Sequence, residues 1–300
     1  MSKAANRSGE MDRRVPISAV VVTLNEEKNI ERLLKSVAWA DEIVVVDSYS
    51  EDHTVEIAKR YTDRVIQREF TDFKDQWSFA VSLCANDWLL VLGADEVVPP
   101  ALRDEILAAL EKGNHDGYYF PMAQHILGGW LKHGAGYPAY HIQLYRKSRG
   151  RWEGVVHEKV ALDGSYGFLR NPILHYTHPN VSSFLGKTIF YSDLWVSALE
   201  EKPDQTLLSL FLSPLKVFIW SYVKHGGFLD GARGFVWSLL LLVNEAVLTA
   251  KIWEKLYMKP EPLEPPTYRL TIRARVIRLK RRVRDAIAHH RDREEVKPSR

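Results

Sequence analysis

Acidic and polar side chains follow each of three short apolar runs in this chain. Thr23, Asn25 and Glu26 end or follow ISAVVVT, Asp47 closes EIVVVD, and Asp95 and Glu96 follow DWLLVL. In an open parallel sheet, ligands bind beyond the carboxyl ends of the strands, so these are the positions where chemistry belongs. Carboxylates facing a phosphate would repel it. An acidic edge therefore suits a phosphorylated ligand only where a cation intervenes or where the acids hold sugar and base hydroxyls. Asp95, with Glu96 beside it, is the natural ligand for Mg²⁺ or Mn²⁺, hard cations that leave positions for phosphate oxygens and offset charge on a diphosphate leaving group. Each acid has a plainer role of its own: Asp47 can hold a turn, Asp52 can favour the positive end of its helix, and Glu96 can sit in a solvated loop. Three acidic strand ends together weigh against that reading. No glycine-rich phosphate loop follows the first run, which argues against dinucleotide binding and P-loop chemistry. His175 and His178 lack a tight ligand spacing with other donors, so no zinc site is expected.

The elements that must position these residues are legible from periodicity. Ile17–Thr23 and Glu42–Asp47 are β-branched and almost unbroken, as parallel strands covered on both faces are. Between them, Glu26–Val37 sets Ile30, Leu33, Leu34 and Val37 at helical spacing, giving a strand-helix-strand unit with a right-handed crossover. A second unit has a helix that Ser50 precedes and that runs to about Arg60, a brief strand Arg64–Ile66, a helix Phe73–Leu83 and a buried strand Asp87–Leu92. Pro99 and Pro100 open a helix reaching Leu110. From Gly117 to about Thr177 the aromatic-rich segments Tyr118–Met122, His141–Arg146 and Val155–Val160 predict antiparallel strands and loops closing one edge of the sheet. Trp130, Lys132, His133, Tyr137, Tyr140 and Arg146 lie there, where aromatic platforms and basic groups can hold a sugar ring and an anionic acceptor.

The segment VVVTLNEEKNIERLLKSVAWADEIVVVDSYSEDHTVEIAKR resembles the opening of family-2 glycosyltransferases, in which an apolar strand, an Asn-Glu pair, a second strand ending in Asp and a Ser-x-Asp-x-Thr loop build a uridine pocket. VAWADEIVVVDS, VHEKV and GGFLDGARGF are most similar to the subgroup containing the lipopolysaccharide core heptose β-1,4-glucosyltransferases, and the likeness covers about residues 17 to 255. It implies an α/β fold of the GT-A, Rossmann-like type with a C-terminal helical membrane-proximal region. It also implies nucleotide-sugar contacts from Thr23, Asn25, Glu26, Asp47 and Asp52, and a metal held by Asp95 with Glu96 beside it. Transfer would invert the anomeric centre, with Glu158 of Val156-His157-Glu158 removing the acceptor proton and His157 touching acceptor or phosphate; the plain alternative for this pair is an exposed strand. Two departures stand out. Gly93 replaces the first Asp of Asp-x-Asp, and Gln76-Trp77-Ser78 replaces Gln-Arg-Asn, removing a cation that Lys74 is the nearest residue to supply.

Organisation follows: a flexible leader over 1–15, a GT-A domain over 16–178, a helical membrane-associated region over 179–259 and a basic tail over 260–300. Helical periodicity returns over Val181–Glu201, and the apolar stretches Leu207–Val223 and Phe235–Ala250 flank HGGFLDGARG. Pro214 and Lys216 interrupt the first stretch and Asn244 and Glu245 the second, so helices lying on an interface are expected rather than spans. The tail interleaves Arg273, Arg275, Arg278, Arg281, Arg282 and Arg284 with apolar residues, a pattern suited to an anionic membrane surface. A net charge of +3 is too small to argue for nucleic acid. The first sixteen residues carry no apolar run of a secretory signal, and a single cysteine, Cys84, excludes an internal disulfide, both of which fit a cytoplasmic protein attached to the inner membrane. The expected partners are a UDP-linked nucleotide-sugar donor and a lipid-linked glycan acceptor. Two rival readings are a sugar-1-phosphate nucleotidyltransferase, for which Thr23–Lys28 lacks the basic glycine-rich loop, and a catalytically weakened scaffold, for which Gly93 speaks.

Overall fold

A computed structural model describes residues 15–154, 159–199 and 207–258. His157, Glu158 and the basic tail lie outside the described residues. The first half alternates β-branched strands with short helices: β1 (Ile17–Thr23), α1 (Ile30–Ser36), β2 (Glu42–Asp47), α2 (Thr54–Ala58), β3 (Val65–Gln67), α3 (Phe73–Ser82) and β4 (Trp88–Gly93). β1 runs between β2 and β4, parallel to both, with Thr23 beside Asp47 and Val22 beside Gly93. The ends of three strands therefore share one rim. Ile17, Val21, Leu90 and Leu92 pack with Ile30, Leu33 and Leu34 of α1 on one face, and Val20, Val44, Val46 and Val91 pack with Trp77 and Ala80 of α3 on the other. Cys84 is buried in the second cluster, where loss of solvent pushes its thiol up to about 11.

Two helices start later than their periodicity predicts. α1 begins at Ile30 rather than Glu26, and α2 at Thr54 rather than directly after Ser50. The cause is a clamp between the two loops. The N–H groups of Asn25, Glu26 and Glu27 donate to Ser50 Oγ (2.8 Å), Thr54 Oγ1 (2.8 Å) and Asp52 Oδ2 (3.1 Å), while Glu51 N–H donates to Asn25 Oδ1 (2.8 Å). Side chains of one loop thus hold backbone donors of the other in a non-helical turn.

After β5 (Glu96–Val97) and α4 (Pro100–Lys112) come β6 (Gly117–Ile126), β7 (Gly129–Trp130), β8 (Ala139–Arg146), β9 (Gly150–Glu153), β10 (Lys159–Leu162), β11 (Tyr166–Phe168) and β12 (Ile173–His178). The main sheet has the order β3-β2-β1-β4-β8-β6-β12-β5, with β7 and β11 also paired to β6, while β9 and β10 form a separate hairpin. β8 is antiparallel to both β4 and β6, as expected of the aromatic region. β11 and β12 depart from that expectation by running parallel to β6. β12 also pairs antiparallel with β5, which puts His175 beside Glu96.

α5 (Val181–Ser197) is capped by Asn180, whose side chain accepts from Ser183 N–H at 2.8 Å. α6 (Leu207–Ile219) runs into a π-helical turn reaching Lys224, and α7 (Gly231–Tyr257) is longer than the apolar stretch that announced it. By length and composition alone, the helical stretch Gly227–Tyr257 is long and apolar enough to cross a membrane, its most apolar 18-residue window having a mean hydropathy of 1.6. Its inward side is bound to α5: Thr188 donates to Asn244 at 3.1 Å and Lys251 pairs with Asp193 at 2.6 Å. Phe184, Trp237 and Leu240 join Ile126 and Leu131 in a third apolar core. Asp230, ahead of α7, accepts from the N–H groups of Lys132 (3.0 Å) and His133 (2.8 Å). The helices are in this way fastened to the sheet.

Candidate active site

A cleft of about 940 Å³ opens at the carboxyl rim of β1 and β4, a size typical of small-molecule sites. Thr23 lines it from the end of β1 and Glu26 from the loop that follows, Asp95 from the turn after β4, Glu96 from β5, His175 and His178 from β12, and Lys187 and Tyr191 from α5. Trp77 of α3 and Trp152 of β9 add an apolar wall, stacked with centroids 5.0 Å apart and planes 8° from parallel. Thr23 Oγ1, Gln76 Oε1, Gln143 Oε1, His175 Nδ1 and His178 Nδ1 are buried without a hydrogen-bond partner among the described residues, and all five residues line this cleft. Buried polar atoms are nearly always bonded, so orphans converging on one cleft mark it as a place that receives a polar ligand.

The residues expected to touch a nucleotide divide into two groups. Thr23 and Glu26 face the cleft; Asn25, Asp47, Asp52 and Lys74 are not among its lining residues. Asp47 is fully buried and accepts from Ser50 N–H (2.9 Å), from the Ser50 hydroxyl and from Gln67 Nε2 (3.0 Å). Asp52 accepts from Thr54 N–H at 3.0 Å besides Glu27 N–H. Asp47, Asp52 and Asn25 thus brace the two loops that shape the rim, the first buried and the last exposed, and Lys74 is an exposed residue of α3. In the aromatic region only Tyr140 of the six singled-out residues lines the cleft, whereas Arg146 pairs with Asp87 at 3.1 Å and lies over the Trp88 ring.

Charge is concentrated at Asp95. His175 Nε2 lies 3.2 Å from its Oδ1 and Lys187 Nζ 3.2 Å from its Oδ2. Burial by itself would raise the Asp95 carboxyl, but the charges of His175 and Lys187 outweigh it and hold the group well below the usual carboxylate range. Burial likewise opposes the charge on His175 and on Lys187. The Asp95 carboxylate, joined by Glu96 for His175 and by Glu26 for Lys187, more than offsets that, and both bases hold their protons more firmly than usual. Glu96 is the opposite case: burial first, then repulsion from Asp95, pushes its carboxyl up to about 7 even though it accepts from Gly93 N–H at 3.0 Å and Gln143 Nε2 at 2.7 Å.

This donor set does not fit the expected Mg²⁺ or Mn²⁺ as it stands. Each oxygen of Asp95 faces a nitrogen cation, Glu96 Oε2 accepts from both Gly93 and Gln143, and Gly93 contributes no side chain. Among the described residues no group of three or more His, Cys, Asp or Glu side chains is arranged to hold a metal.

Comparison with known proteins identifies the lineage of the chain. Residues 18–161 match the family model described as Glycosyl transferase family 2. An uncharacterized glycosyltransferase of Rickettsia felis is 30% identical over 260 residues, spanning 80% of this chain and 90% of that protein. The chain belongs to glycosyltransferase family 2. This transferase is also 26% identical over 261 residues to the lipopolysaccharide core biosynthesis glycosyltransferase LpsC of Rhizobium meliloti, covering 83% of the chain and 96% of LpsC. Among solved structures, S. aureus TarS 1-349 in complex with UDP aligns over 83% of the chain and 95% of its own length, with a TM-score of 0.41 and 14% identity. As a member of family 2, the chain has the α/β, GT-A-type architecture of that family.

Sequence reading of this family-2 transferase missed His175 and Lys187. Lys187 is a lone cation in the apolar run SSFLGKTIFYS, 92 positions from the acid it pairs with, and only the tertiary fold joins them. The raised Glu96 carboxyl has a measurable consequence. Its proton is bound more tightly in the folded chain than in the unfolded one, so its contribution to stability is full below about pH 4.5 and is lost as pH rises through about 7. Relative to the Glu96→Gln variant, the unmodified protein should lose about 2 to 3 kcal/mol between pH 5 and pH 8. Urea unfolding of both proteins at the two pH values reads this directly, and a pH-independent difference would contradict it.

Proposed function

We propose that the protein is an inverting glycosyltransferase that moves a sugar from a UDP-linked donor to a lipid-anchored glycan of the lipopolysaccharide inner-core type, at the cytoplasmic face of the inner membrane. The observation that carries the reading is the cleft itself, in which Asp95, flanked by two cations, and a ring of unpartnered buried polar atoms stand beyond the ends of parallel strands. A diphosphate needs positive charge, and sugar and base hydroxyls need the orphaned acceptors and donors. Thr23 and Glu26 are suited to the nucleoside side of the cleft, with Asn25, Asp47 and Asp52 holding their loop in shape. Glu158 is the proposed base and His157 its neighbour. Trp152 and Lys159, on either side of that segment, line the cleft. The role named for LpsC in core biosynthesis supports the acceptor class.

The membrane part of the proposal rests on exposed apolar side chains. Leu212, Leu215, Ile219, Trp220, Val223, Phe228, Leu229, Phe235 and Leu239 are all exposed along α6, the turns after it and the start of α7. Exposed apolar side chains gathered on these adjoining elements suit helices resting in a membrane interface while α5 and α7 stay bound to the sheet. Holding the enzyme there concentrates it beside a lipid-linked acceptor. The decisive experiment incubates purified protein with labelled UDP-sugars and core-truncated lipopolysaccharide in vesicles. One UDP-sugar should be transferred, and the double variant Phe228→Glu, Leu229→Glu should lose about tenfold or more on vesicle-borne acceptor while keeping its rate on a detergent-dispersed one. Transfer from none of the UDP-sugars would end the proposal.

A further inference from the structure

The cation missing from the acidic rim is present as a side chain. We propose that Lys187, held by Asp95 at the wall of the cleft, supplies the positive charge that meets the donor diphosphate, so that this transferase binds its nucleotide without a divalent ion. The inference rests on the nucleotide-sugar reading above and names the group that performs its electrostatic part.

Three observations carry it. Lys187 Nζ stands 3.2 Å from Asp95 Oδ2, and its side chain is 34% exposed, so the ammonium is anchored on one side and open to the cleft on the other. Its backbone is fixed: α5 is capped by Asn180, and Thr188, the next residue, donates to Asn244 of α7. An ammonium on a rigid helix with one carboxylate partner can turn its remaining donors to phosphate oxygens with little reorganisation. The second observation is His175, which lies 3.2 Å from the other oxygen of Asp95, so that both oxygens of this carboxylate already face a nitrogen. The third is Gly93. A Cβ there would stand 3.2 Å from Asp95 Oδ1 and 3.8 Å from Glu96 Cδ. A longer acidic residue would crowd a third carboxylate against these two and compete for the same cations; glycine leaves Asp95 to Lys187 and His175. Lys74, the cation that sequence pointed to, is not among the lining residues.

The test compares binding of UDP and of uridine, by calorimetry, in EDTA and in Mn²⁺, for the full-length protein and the variants Lys187→Met and Lys187→Arg. In EDTA the unmodified protein should bind UDP at least about tenfold more tightly than uridine, a difference that Mn²⁺ leaves nearly unchanged. Lys187→Met should bring UDP down to the affinity of uridine, without altering uridine itself, and Lys187→Arg should restore most of the difference. Unchanged uridine binding also reports that the Met variant is folded. UDP binding that requires Mn²⁺, or that survives Lys187→Met, would overturn the role of Lys187 and leave the nucleotide reading standing. Failure of the unmodified protein to bind either compound in either buffer would overturn both.

Discussion

Asp95→Asn should reduce sugar transfer by at least about a hundredfold, the scale seen when one preorganised electrostatic group is removed from an active site. Asparagine has nearly the same shape and its oxygen still accepts a hydrogen bond, so the variant tests charge rather than packing. Without the carboxylate, His175 and Lys187 lose the attraction that offsets their burial, and each is less able to stay charged at its position. The ammonium would no longer be held at the wall of the cleft. Breaking a fully buried ion pair costs roughly 3 to 5 kcal/mol, and a much smaller loss is expected here because Lys187 is partly exposed and the amide keeps a hydrogen bond. A folded protein with a melting point a few degrees lower is the anticipated result. Steady-state rates alongside a thermal melt distinguish the two effects, and turnover within about threefold of normal would remove Asp95 from the reaction.

Glu158→Gln addresses the other half of the chemistry. Attack by an acceptor hydroxyl requires that its proton be taken up, and a positioned general base contributes roughly a hundredfold to ten-thousandfold. Loss of transfer in that range is expected, with UDP affinity unchanged because the base serves the acceptor and not the nucleotide. The two variants should therefore part company in a binding assay: Asp95→Asn weakens UDP, Glu158→Gln does not. Normal transfer by Glu158→Gln would assign the proton to another group, and a parallel loss of UDP binding would make Glu158 part of the donor site instead.

The parallel core was readable because its physics is local. β-branched runs such as ISAVVVT and EIVVVD bury both faces, and the intervening Ile30, Leu33 and Leu34 repeat at helical spacing, so strand, helix and strand follow from neighbouring residues. The same runs marked the rim, since whatever follows a parallel strand lies at its carboxyl end. Thr23, Glu26, Asp95 and Glu96 were found in this way and do line the cleft. Asn25 and Asp47 were found by the same reasoning and Asp52 by the family resemblance, but all three bond to the adjoining loops and do not line the cleft. A polar side chain at a strand end can face a ligand or satisfy the adjoining loop, and the choice depends on which backbone donors the neighbouring loop presents.

By itself, then, the sequence determined a doubly covered parallel sheet with an acidic edge and a family-2 transferase lineage, because burial patterns and loop residues act over a few positions. The tertiary structure decided what that edge can bind. β12 pairs with β5 and brings His175 beside Glu96, and α5, docked on α7, delivers Lys187 to Asp95. Electrostatic energy depends on distance through space, and a pair separated by 92 positions has no trace in local periodicity until the chain has folded.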